Sequence, residues 1–315
     1  NYDFFKTVRN ILNNIDLIII SHPSGMLAVK IASLIAGKKI PLFYDAHNVE
    51  SDFIKETFTK NKKYSWLERL VVYLNIVILE RIGCKCLADH ILSVSNRDRK
   101  LFIKRYKLNS DKVSVIPSGC NLKNFKVPSI EEKKKTKVRY GIDPSTVVVV
   151  FHGLYNHPPN KEAFKIIKNY IVPKLKDKDN VLFLVGGSEC PVSNNGNYNS
   201  IGFIENLFDY LAMADIAIVP LRHGAGTKLK VFDYMAAGLP IVTTEKGVEG
   251  IEAENNKHAL ITDDVNEEFI KAIQHLIDNK NERERIGLNA RALAEAKYDW
   301  DNVGNLLNEV IHNWK

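Results

Sequence analysis

A glycine-rich turn followed by lysines is the strongest chemical signal in this chain. Residues 220–240, PLRHGAGTKLKVFDYMAAGLP, follow an apolar run and turn into a helical pattern near Thr227. A Gly-x-Gly turn at a helix N-terminus offers free backbone N–H groups and the positive end of the helix dipole, which suits phosphate oxygens. Arg222, Lys228 and Lys230 add cations, and each charge-assisted bond contributes about 1.5–3 kcal/mol. We therefore expect phosphate binding here.

The helix after this turn carries one acid, Asp233, roughly two turns from its start. A carboxylate in that position could accept hydrogen bonds from ribose hydroxyls. The helix is expected to end at Gly238, and its predicted core side consists of Leu229, Phe232 and Ala236. The plainer alternative is a tight turn with solvated lysines. The segment is not a Walker loop, because no Gly-Lys-Ser/Thr follows four spacers after a glycine.

A histidine among acidic residues is the second candidate. His47 follows the apolar segment PLFYDA and is close in sequence to Asp45, Asn48 and Glu50. Open α/β sheets bind their ligands at the carboxyl ends of parallel strands. An imidazole at such a position could polarise or hydrogen-bond a substrate. A capping histidine without a chemical role is the alternative.

These side chains need a frame of alternating strands and helices. Short β-branched runs alternate with helical patterns along the chain, which is typical of α/β units with a parallel sheet. The predicted strands are residues 16–20, 41–44, 90–94, 113–116, 147–151, 181–185, 215–219 and 240–243. The charge-rich residues 131–137, EEKKKTK, predict a solvated linker or helix end that divides the chain into two α/β domains. Residues 301–315 predict an amphipathic helix.

Length and composition agree with two globular domains and exclude disordered, collagenous and disulfide-rich classes. The chain has 315 residues, 45% of them hydrophobic, and a formal net charge of +7. That charge favours an anionic partner. A lone Cys-x-Cys at Cys84 and Cys86 lacks the second ligand pair of a zinc site. The absence of a signal-peptide pattern leads us to expect a cytoplasmic protein.

A basic segment interleaved with aromatic residues precedes the longest apolar run. It extends from Lys55 to Arg69 and contains Lys60, Lys62 and Lys63 together with Phe58, Tyr64 and Trp66. Such a segment could contact an anionic bilayer and place the protein peripherally at the inner face of the membrane. A loop followed by an ordinary buried helix is the alternative. The apolar residues 70–79 are too few for a spanning helix, which needs about 20 residues.

Several segments, including the glycine pair at the strand end Val185–Gly187, resemble the GT-B retaining glycosyltransferases of family 4 (group 1), and they follow one another along the chain in the family's order. Residues 202–251 resemble the family's donor site, and residues 113–125 (VSVIPSGCNLKNF) its inter-domain signature. Residues 151–161 (FHGLYNHPPNK) resemble the glycine loop that opens its second domain. Residues 41–50 resemble the strand with a trailing histidine, and residues 296–315 the final helix.

The resemblance implies two Rossmann-like α/β domains with parallel sheets facing across a cleft. It implies an acceptor-side domain over residues 1–130, a nucleotide-sugar domain over 138–296 and a helix over 297–315 that returns to the first domain. Compared with the family, the first domain lacks its usual opening strand and glycine-rich loop, so we expect it to be incomplete.

The resemblance also implies roles for individual residues. Gly153 would lie against the diphosphate, and Asp233 would bind the ribose. Phosphate oxygens would be held by Arg222, Gly224, Gly226, Thr227, Lys228 and Lys230. The backbone of Phe203 and Ile204 would read the base, and Glu249 would border the donor pocket. His47 would stand close to the transferred sugar, with His22, Asn48 and Glu50 on the acceptor side.

The chain departs from the family pattern at two places. Ala225 and Asp233 replace two glutamates spaced eight residues apart, and Leu154 replaces a frequent arginine. The expected reaction is transfer of a hexose from a UDP- or GDP-sugar to a saccharide or lipid-linked acceptor, with retention of configuration. No metal and no cofactor are expected, and a donor-binding or inactive fragment of such an enzyme is the alternative.

Two other classes of protein fit the sequence poorly. A nucleic-acid-binding protein would explain the charge, but none of the usual recognition motifs is present. A Rossmann oxidoreductase would need Gly-x-Gly-x-x-Gly after its first strand, and residues 21–25 (SHPSG) do not supply it. We therefore expect no nucleic-acid partner.

Overall fold

The computed structural model describes residues 2–58, 64–178 and 180–314. The chain divides into two compact units, each with a parallel sheet and an apolar core of its own. The first unit consists of Asn1–Pro117, Ala225–Thr227 and Glu309–Lys315, and the second of Ser118–Gly224 and Lys228–Asn308. This architecture confirms the predicted α/β class with two sheet-containing units.

The first unit is built on a four-stranded parallel sheet in the order β1-β2-β3-β4. Its strands are β1 (Ile18–Ile20), β2 (Leu42–Ala46), β3 (His90–Ser93) and β4 (Val113–Val115). Its helices are α1 (Tyr2–Ile11), α2 (Pro23–Ile35), α3 (Glu50–Thr57), α4 (Trp66–Ile82) and α5 (Asn96–Tyr106). The strand sequences are nearly all apolar because helices cover both faces of such a sheet.

Helix α4 begins with a reciprocal cap. The Ser65 hydroxyl accepts a hydrogen bond from the Glu68 amide, and the Glu68 carboxylate accepts one from the Ser65 amide at 2.8 Å. Such a capping box satisfies two of the amides that a helix N-terminus leaves open. The helix ends in a π-helical turn, Gly83–Leu87. The predicted apolar run of residues 70–79 therefore lies inside one helix.

The second unit is built on a seven-stranded sheet in the order β11-β10-β9-β5-β6-β8-β7. All neighbours are parallel except the β7–β8 hairpin. The strands are β5 (Val147–His152), β6 (Val181–Gly186), β7 (Val192–Asn195), β8 (Tyr198–Ile201), β9 (Ile216–Val219), β10 (Ile241–Thr244) and β11 (Leu260–Thr262). The four central strands carry almost only apolar side chains, so they were predictable from sequence.

The helices of the second unit connect these strands. They are α6 (Ile130–Arg139), α7 (Pro158–Ile166), α8 (Val172–Lys174), α9 (Leu207–Ala212), α10 (Leu229–Ala236), α11 (Glu267–Asp278) and α12 (Lys280–Lys297), and α13 (Trp300–Asn313) follows. A π-helical segment, Ile167–Ile171, joins α7 to α8.

The prediction of a solvated linker at residues 131–137 is wrong. These residues form most of α6, whose N-terminus is capped by Ser129. Thr136 and Lys137 are buried, and the Lys137 ammonium donates to Asp215 at 2.6 Å and to the Thr146 carbonyl at 2.7 Å. Some charged side chains of this segment therefore have a structural role. The boundary between the two units falls earlier in the chain, after Pro117.

Helix α10 also differs from its prediction. It begins at Leu229 rather than near Thr227, because Lys228 has extended backbone angles. Leu229 was predicted to face the core, yet its side chain is 61% exposed. Phe232 and Ala236 are buried as predicted, and Val231 is buried in place of Leu229.

Candidate functional site

In the second unit, the backbone segments at Gly153 and Gly187 approach each other closely at the carboxyl ends of β5 and β6. We call these two segments the floor of the site. The Gly153 amide donates to the Gly186 carbonyl at 3.1 Å, and the Gly187 amide donates to the Gly202 carbonyl at 2.8 Å. Gly187 has φ +144°, and a Cβ there would lie 2.0 Å from the Gly153 carbonyl oxygen. Only glycine fits at position 187, so bare backbone faces the end of the sheet.

Lys230 lies directly over this floor. Its Nζ donates to Asn160 Oδ1 at 2.7 Å and stands 4.1 Å from the centre of the Phe151 ring. A Cβ built on Gly153 would come within 2.7 Å of the same Nζ. Burial, and to a smaller extent the neighbouring Lys228, lower the pKa of Lys230 to about 7, although Asp233 opposes the shift. An anion bound here would stabilise the charged form of Lys230.

The turn before α10 has the conformation that its glycines predict. Gly224 has φ +111° and Gly226 has φ +76°, a region that side chains rarely adopt. The Lys228 ammonium donates to the Gly224 carbonyl at 2.9 Å, which closes the turn. The Thr227 hydroxyl is buried, and no described residue hydrogen-bonds to it. The turn thus brings a hydroxyl donor and a lysine to the start of α10.

Asp233, the predicted ribose ligand, is paired with a histidine that the sequence analysis did not select. His152 Nε2 lies 3.4 Å from Asp233 Oδ2, and the His152 amide donates to the Tyr234 hydroxyl at 3.0 Å. Burial lowers the pKa of His152 although Asp233 opposes the shift. The available signal was its position as the last residue of β5, directly before Gly153.

The structure gives Arg222 different partners from those expected. Its guanidinium donates to Asp264 at 2.9 Å and to the Val265 carbonyl at 3.0 Å. The sequence places this arginine near the glycine turn, but its long side chain is held by the loop after β11 instead. A phosphate contact would require Arg222 to leave both partners.

The remaining predicted donor residues lie in loops at the same end of the sheet. Ile204 packs beside Gly186, since a Cβ at Gly186 would lie 2.9 Å from the Ile204 side chain. Phe203 is 68% exposed. Glu249 forms an ion pair with Lys246 at 2.9 Å, in the loop after β10. Base-reading and pocket-bordering roles for these three residues remain predictions.

A second cluster lies in the first unit, at the carboxyl ends of β1 and β2. His47 Nε2 is 2.9 Å from Asp45 Oδ2, and the Ser21 hydroxyl donates to the same oxygen at 3.3 Å. His22 Nε2 is 3.8 Å from the carboxylate of Glu50. The structure therefore brings His22, His47 and Glu50 to one edge of the sheet, and their roles toward a sugar or an acceptor remain predictions.

Glu80 is a buried residue of this cluster that sequence reasoning missed. Its carboxylate accepts hydrogen bonds from the amides of Glu50 at 2.7 Å and Ser51 at 3.1 Å and from the Tyr106 hydroxyl at 2.5 Å. Burial raises the pKa of Glu50, His22 partly opposes the shift, and Glu80 adds to it. A lone acid in an apolar helix, in the run LVVYLNIVILE, was the available signal.

Neither a metal cluster nor a membrane span is found in the part of the chain that the structure describes. No three His, Cys, Asp or Glu side chains within residues 2–58, 64–178 and 180–314 are arranged to hold an ion. Over the same residues, no helix is both long and apolar enough to cross a bilayer. The absence of a metal requirement remains an expectation.

The fold is that of the GT-B glycosyltransferases. It is similar to Anabaena Alr3699/HepE solved with UDP, with a TM-score of 0.74 and 17% identity over 98% of this chain and 81% of that chain. It is also similar to WaaG, a glycosyltransferase involved in lipopolysaccharide biosynthesis, with a TM-score of 0.69 and 14% identity over 98% and 82%.

The chain belongs to glycosyltransferase family 4, the glycosyl transferases group 1. The model described as Glycosyltransferase Family 4 matches residues 1–124, and the one described as Glycosyl transferases group 1 matches residues 146–279. The two matches are adjacent and span most of the chain. The resemblance read from the motifs is thereby confirmed.

Two curated relatives match the chain over much of its length. One is the Escherichia coli UDP-Gal:alpha-D-GlcNAc-diphosphoundecaprenol alpha-1,3-galactosyltransferase, 23% identical over 82% of this chain and 65% of that protein. The other is the Corynebacterium glutamicum GDP-mannose-dependent monoacylated alpha-(1-6)-phosphatidylinositol monomannoside mannosyltransferase, 23% identical over 63% and 55%. The chain thus spans between about half and two thirds of the length of these relatives.

Proposed function

We propose that this chain transfers a hexose from a nucleotide diphosphate sugar to a saccharide or lipid-linked acceptor, with retention of anomeric configuration. One observation carries the proposal: Lys230 stands over the glycine floor at Gly153 with its pKa lowered to about 7. A half-buried lysine with a lowered pKa, next to bare backbone and a glycine turn, is a site prepared for an anion. The diphosphate of a nucleotide sugar supplies that anion.

The chemistry of the reaction explains the placement of these cations. When the bond from the sugar to the diphosphate breaks, negative charge grows on the leaving nucleoside diphosphate. Lys228, Lys230 and the backbone amides of the turn at Gly224 and Gly226 would stabilise that charge. Asp233, oriented by His152, would accept hydrogen bonds from the ribose.

The cluster of the first unit would serve the sugar and the acceptor. Asp45 lies 2.9 Å from Nε2 of the His47 ring, and this contact would orient the imidazole for its proposed role beside the sugar. His22, Asn48 and Glu50 would contact the acceptor. The raised pKa of Glu50 makes it able to carry a proton at a higher pH than an ordinary glutamate.

The names of similar proteins favour a uridine nucleotide. The Escherichia coli relative uses a UDP-sugar by its name, and the Anabaena structure was solved with UDP. The Corynebacterium relative is GDP-mannose-dependent by its name, so GDP-sugars stay in the proposal. The exposed ring of Phe203 beside the site could stack on either base.

The test is donor binding followed by turnover. Thermal shift against a panel of UDP- and GDP-sugars names the donor, and sugar transfer is then followed by NMR, where the anomeric coupling reports retention. Lys228→Ala should lower turnover about 10²-fold or more with the melting temperature unchanged. Lys165→Ala, at an exposed lysine on α7, is the matched control and should keep full activity.

The outcomes separate the proposal from its alternative. If the panel stabilises the protein and no acceptor is glycosylated, the chain is a donor-binding fragment or subunit. If Lys228→Ala turns over at the wild-type rate, the phosphate assignment is wrong. An inverted product would overturn retention while leaving the donor site in place.

The proposal of a lipid-linked acceptor includes contact with an anionic bilayer through α4. One face of this helix is exposed and apolar, formed by Leu67, Leu70, Val71, Leu74 and Ile78. The spacing of these residues puts them on a single stripe. Arg81 continues the row of Leu67 and Leu74 one heptad further, at the end of the helix. An apolar stripe that ends in a cation fits a bilayer with acidic headgroups.

The basic segment from Lys55 to Arg69 lies at the N-terminal end of α4 and includes the first turn of this helix. Its lysines Lys60, Lys62 and Lys63 lie outside the described residues, so their part in the contact remains a prediction. Lys55 is exposed at the end of α3. Basic residues before the helix and Arg81 in its last turn would flank the apolar stripe at both ends.

Co-sedimentation with vesicles tests the contact. The protein should bind vesicles that contain phosphatidylglycerol, lose binding as salt rises, and bind neutral vesicles weakly. Leu70→Ser with Leu74→Ser should weaken binding about tenfold or more, because each buried leucine contributes about 1.5–3 kcal/mol. Val192→Ser, at an exposed valine of β7, is the control. Self-association that the double substitution abolishes would instead assign the stripe to a second copy.

A further inference from the structure

A cavity of about 480 Å³ lies at the amino-terminal edge of the seven-stranded sheet. Its walls come from α6, from the starts of β5, β9 and β10, and from the first turns of α12. Thr146, Asp215 and Pro240 mark the three strand starts in its lining. The residues of the donor site lie at the opposite, carboxyl edge. The cavity is therefore separate from the site described above.

Two ammonium groups share a single carboxylate in this cavity. Lys133 and Lys137 bind the two oxygens of Asp215 at 3.1 and 2.6 Å, and their side chains are 25% and 4% exposed. Burial tends to raise the pKa of Asp215, but the two lysines lower it overall. One carboxylate neutralises one ammonium, so one positive charge is left uncompensated where water is scarce.

The rest of the lining increases this positive charge. Lys134, Lys280 and Arg283 also line the cavity, and Glu284 lies 3.6 Å from Lys280. The Arg283 guanidinium donates through Nη1 to two carbonyls at the end of α11, which fixes its position. Among the described residues, Asp215 is the hydrogen-bond partner of Lys133. Burial lowers the pKa of Lys133, and Asp215 only partly opposes the shift.

Apolar residues also line the cavity. They are Val127, Ile130, Leu239 and Leu288, and the side chains of Ile130 and Leu288 are 53% and 58% exposed. A cavity lined by both cations and apolar side chains suits a ligand with an apolar body and one anionic end.

We propose that this cavity binds a small organic phosphate, with the phosphate on Lys133 and Arg283 and the apolar body against Ile130 and Leu288. The phosphate supplies the negative charge that the pair of lysines lacks, and charge-assisted bonds to two cations hold it. This site would be a second anion site of the protein. The length of β9, from Ile216 to Val219, separates it from the donor end of the sheet by roughly 13 Å.

Binding of 1-naphthyl phosphate, followed by its fluorescence, tests the proposal. Excess UDP is present so that the donor site is occupied. Inorganic phosphate and 1-naphthol serve as probes of the anionic and apolar parts alone. We expect 1-naphthyl phosphate to bind at least about tenfold more tightly than either, because the site holds both ends of the ligand.

Matched variants locate the site. Lys133→Gln should weaken binding about tenfold or more, and Lys135→Gln, an exposed lysine of the same helix outside the lining, should leave it unchanged. Leu288→Glu adds a negative charge on the exposed wall and should abolish binding, whereas Leu288→Gln keeps most of it. These two variants remain informative if Lys133→Gln does not fold.

The proposal is overturned if Lys133→Gln folds and binds like the wild type, or if Leu288→Glu and Leu288→Gln bind equally well. Equal losses in Lys133→Gln and Lys135→Gln would also overturn it, since they would indicate attraction to the net charge only. Probe binding that is seen without UDP and lost in excess UDP would assign the probe to the donor site.

Discussion

Donor binding should become weaker as the pH rises through the range in which Lys230 loses its proton. The pKa of Lys230 is about 7 in the free protein because burial disfavours the charged form. A bound diphosphate favours the charged form and raises this pKa. Affinity is therefore highest well below pH 7 and falls as the pH rises through 7, because protonation of Lys230 must then accompany binding.

The size of the effect follows from the charged fraction. Roughly three quarters of Lys230 side chains are protonated at pH 6.5 and roughly 3% at pH 8.5 when the pKa is about 7. If only the charged form binds, affinity falls about 25-fold over this interval, which is about 1.9 kcal/mol. Burial lowers the pKa values of His152 and His157 below the ordinary histidine value, so both are mainly neutral throughout.

Isothermal titration with a nucleotide sugar measures the effect. A nucleotide sugar is preferable to a nucleoside diphosphate, whose terminal phosphate titrates near pH 6. In buffers of different ionisation enthalpy, the wild type should take up close to one proton per donor at pH 8.5. Lys230→Met should bind more weakly at pH 6.5 and show no proton uptake. A wild-type affinity that is constant from pH 6.5 to 8.5 would refute the reasoning, as would an unchanged slope in Lys230→Met.

Two further predictions concern the frame of the site. Asp215→Asn leaves two buried lysines without their counterion and should lower the free energy of unfolding by about 3–5 kcal/mol in urea denaturation; adding Lys133→Met should restore part of it. Gly187→Ala would place a Cβ 2.0 Å from the Gly153 oxygen at φ +144°. It should lower the free energy of unfolding by more than about 3 kcal/mol, and the variant should lose donor binding. Gly196→Ala, at φ +59° in open space, should lower the free energy of unfolding by about 1 kcal/mol. Equal stabilities of the two alanine variants would contradict this account.

The strands that position the site were predictable because parallel strands covered on both faces must be apolar. All eight predicted runs are strands in the structure, each shifted by at most two residues at an end. The strands β7, β8 and β11 were missed. Of these, β7 and β8 form an edge hairpin with polar sequences, VSNN and YNSI. Edge strands of this kind carry no periodic apolar signal.

The glycine turn and its lysines were predictable because the turn conformation and the local charge both follow from residues that are adjacent in the sequence. Arg222 could not be placed from sequence, since its partners Asp264 and Val265 are about 40 residues away. The prediction of a solvated linker at residues 131–137 was wrong for the same reason. Charge normally indicates solvent, but Lys133 and Lys137 meet Asp215 from another element and are held there. Long-range pairing of this kind has no signature in a single sequence.

A crystal structure of the chain with its stabilising nucleotide sugar would show where the diphosphate binds. We expect the diphosphate to lie against the Gly153 backbone, with oxygens bonded to Lys228, Lys230 and the amides of the turn at Gly224 and Gly226. A diphosphate bound elsewhere in the second unit, out of reach of both lysines, would contradict this expectation.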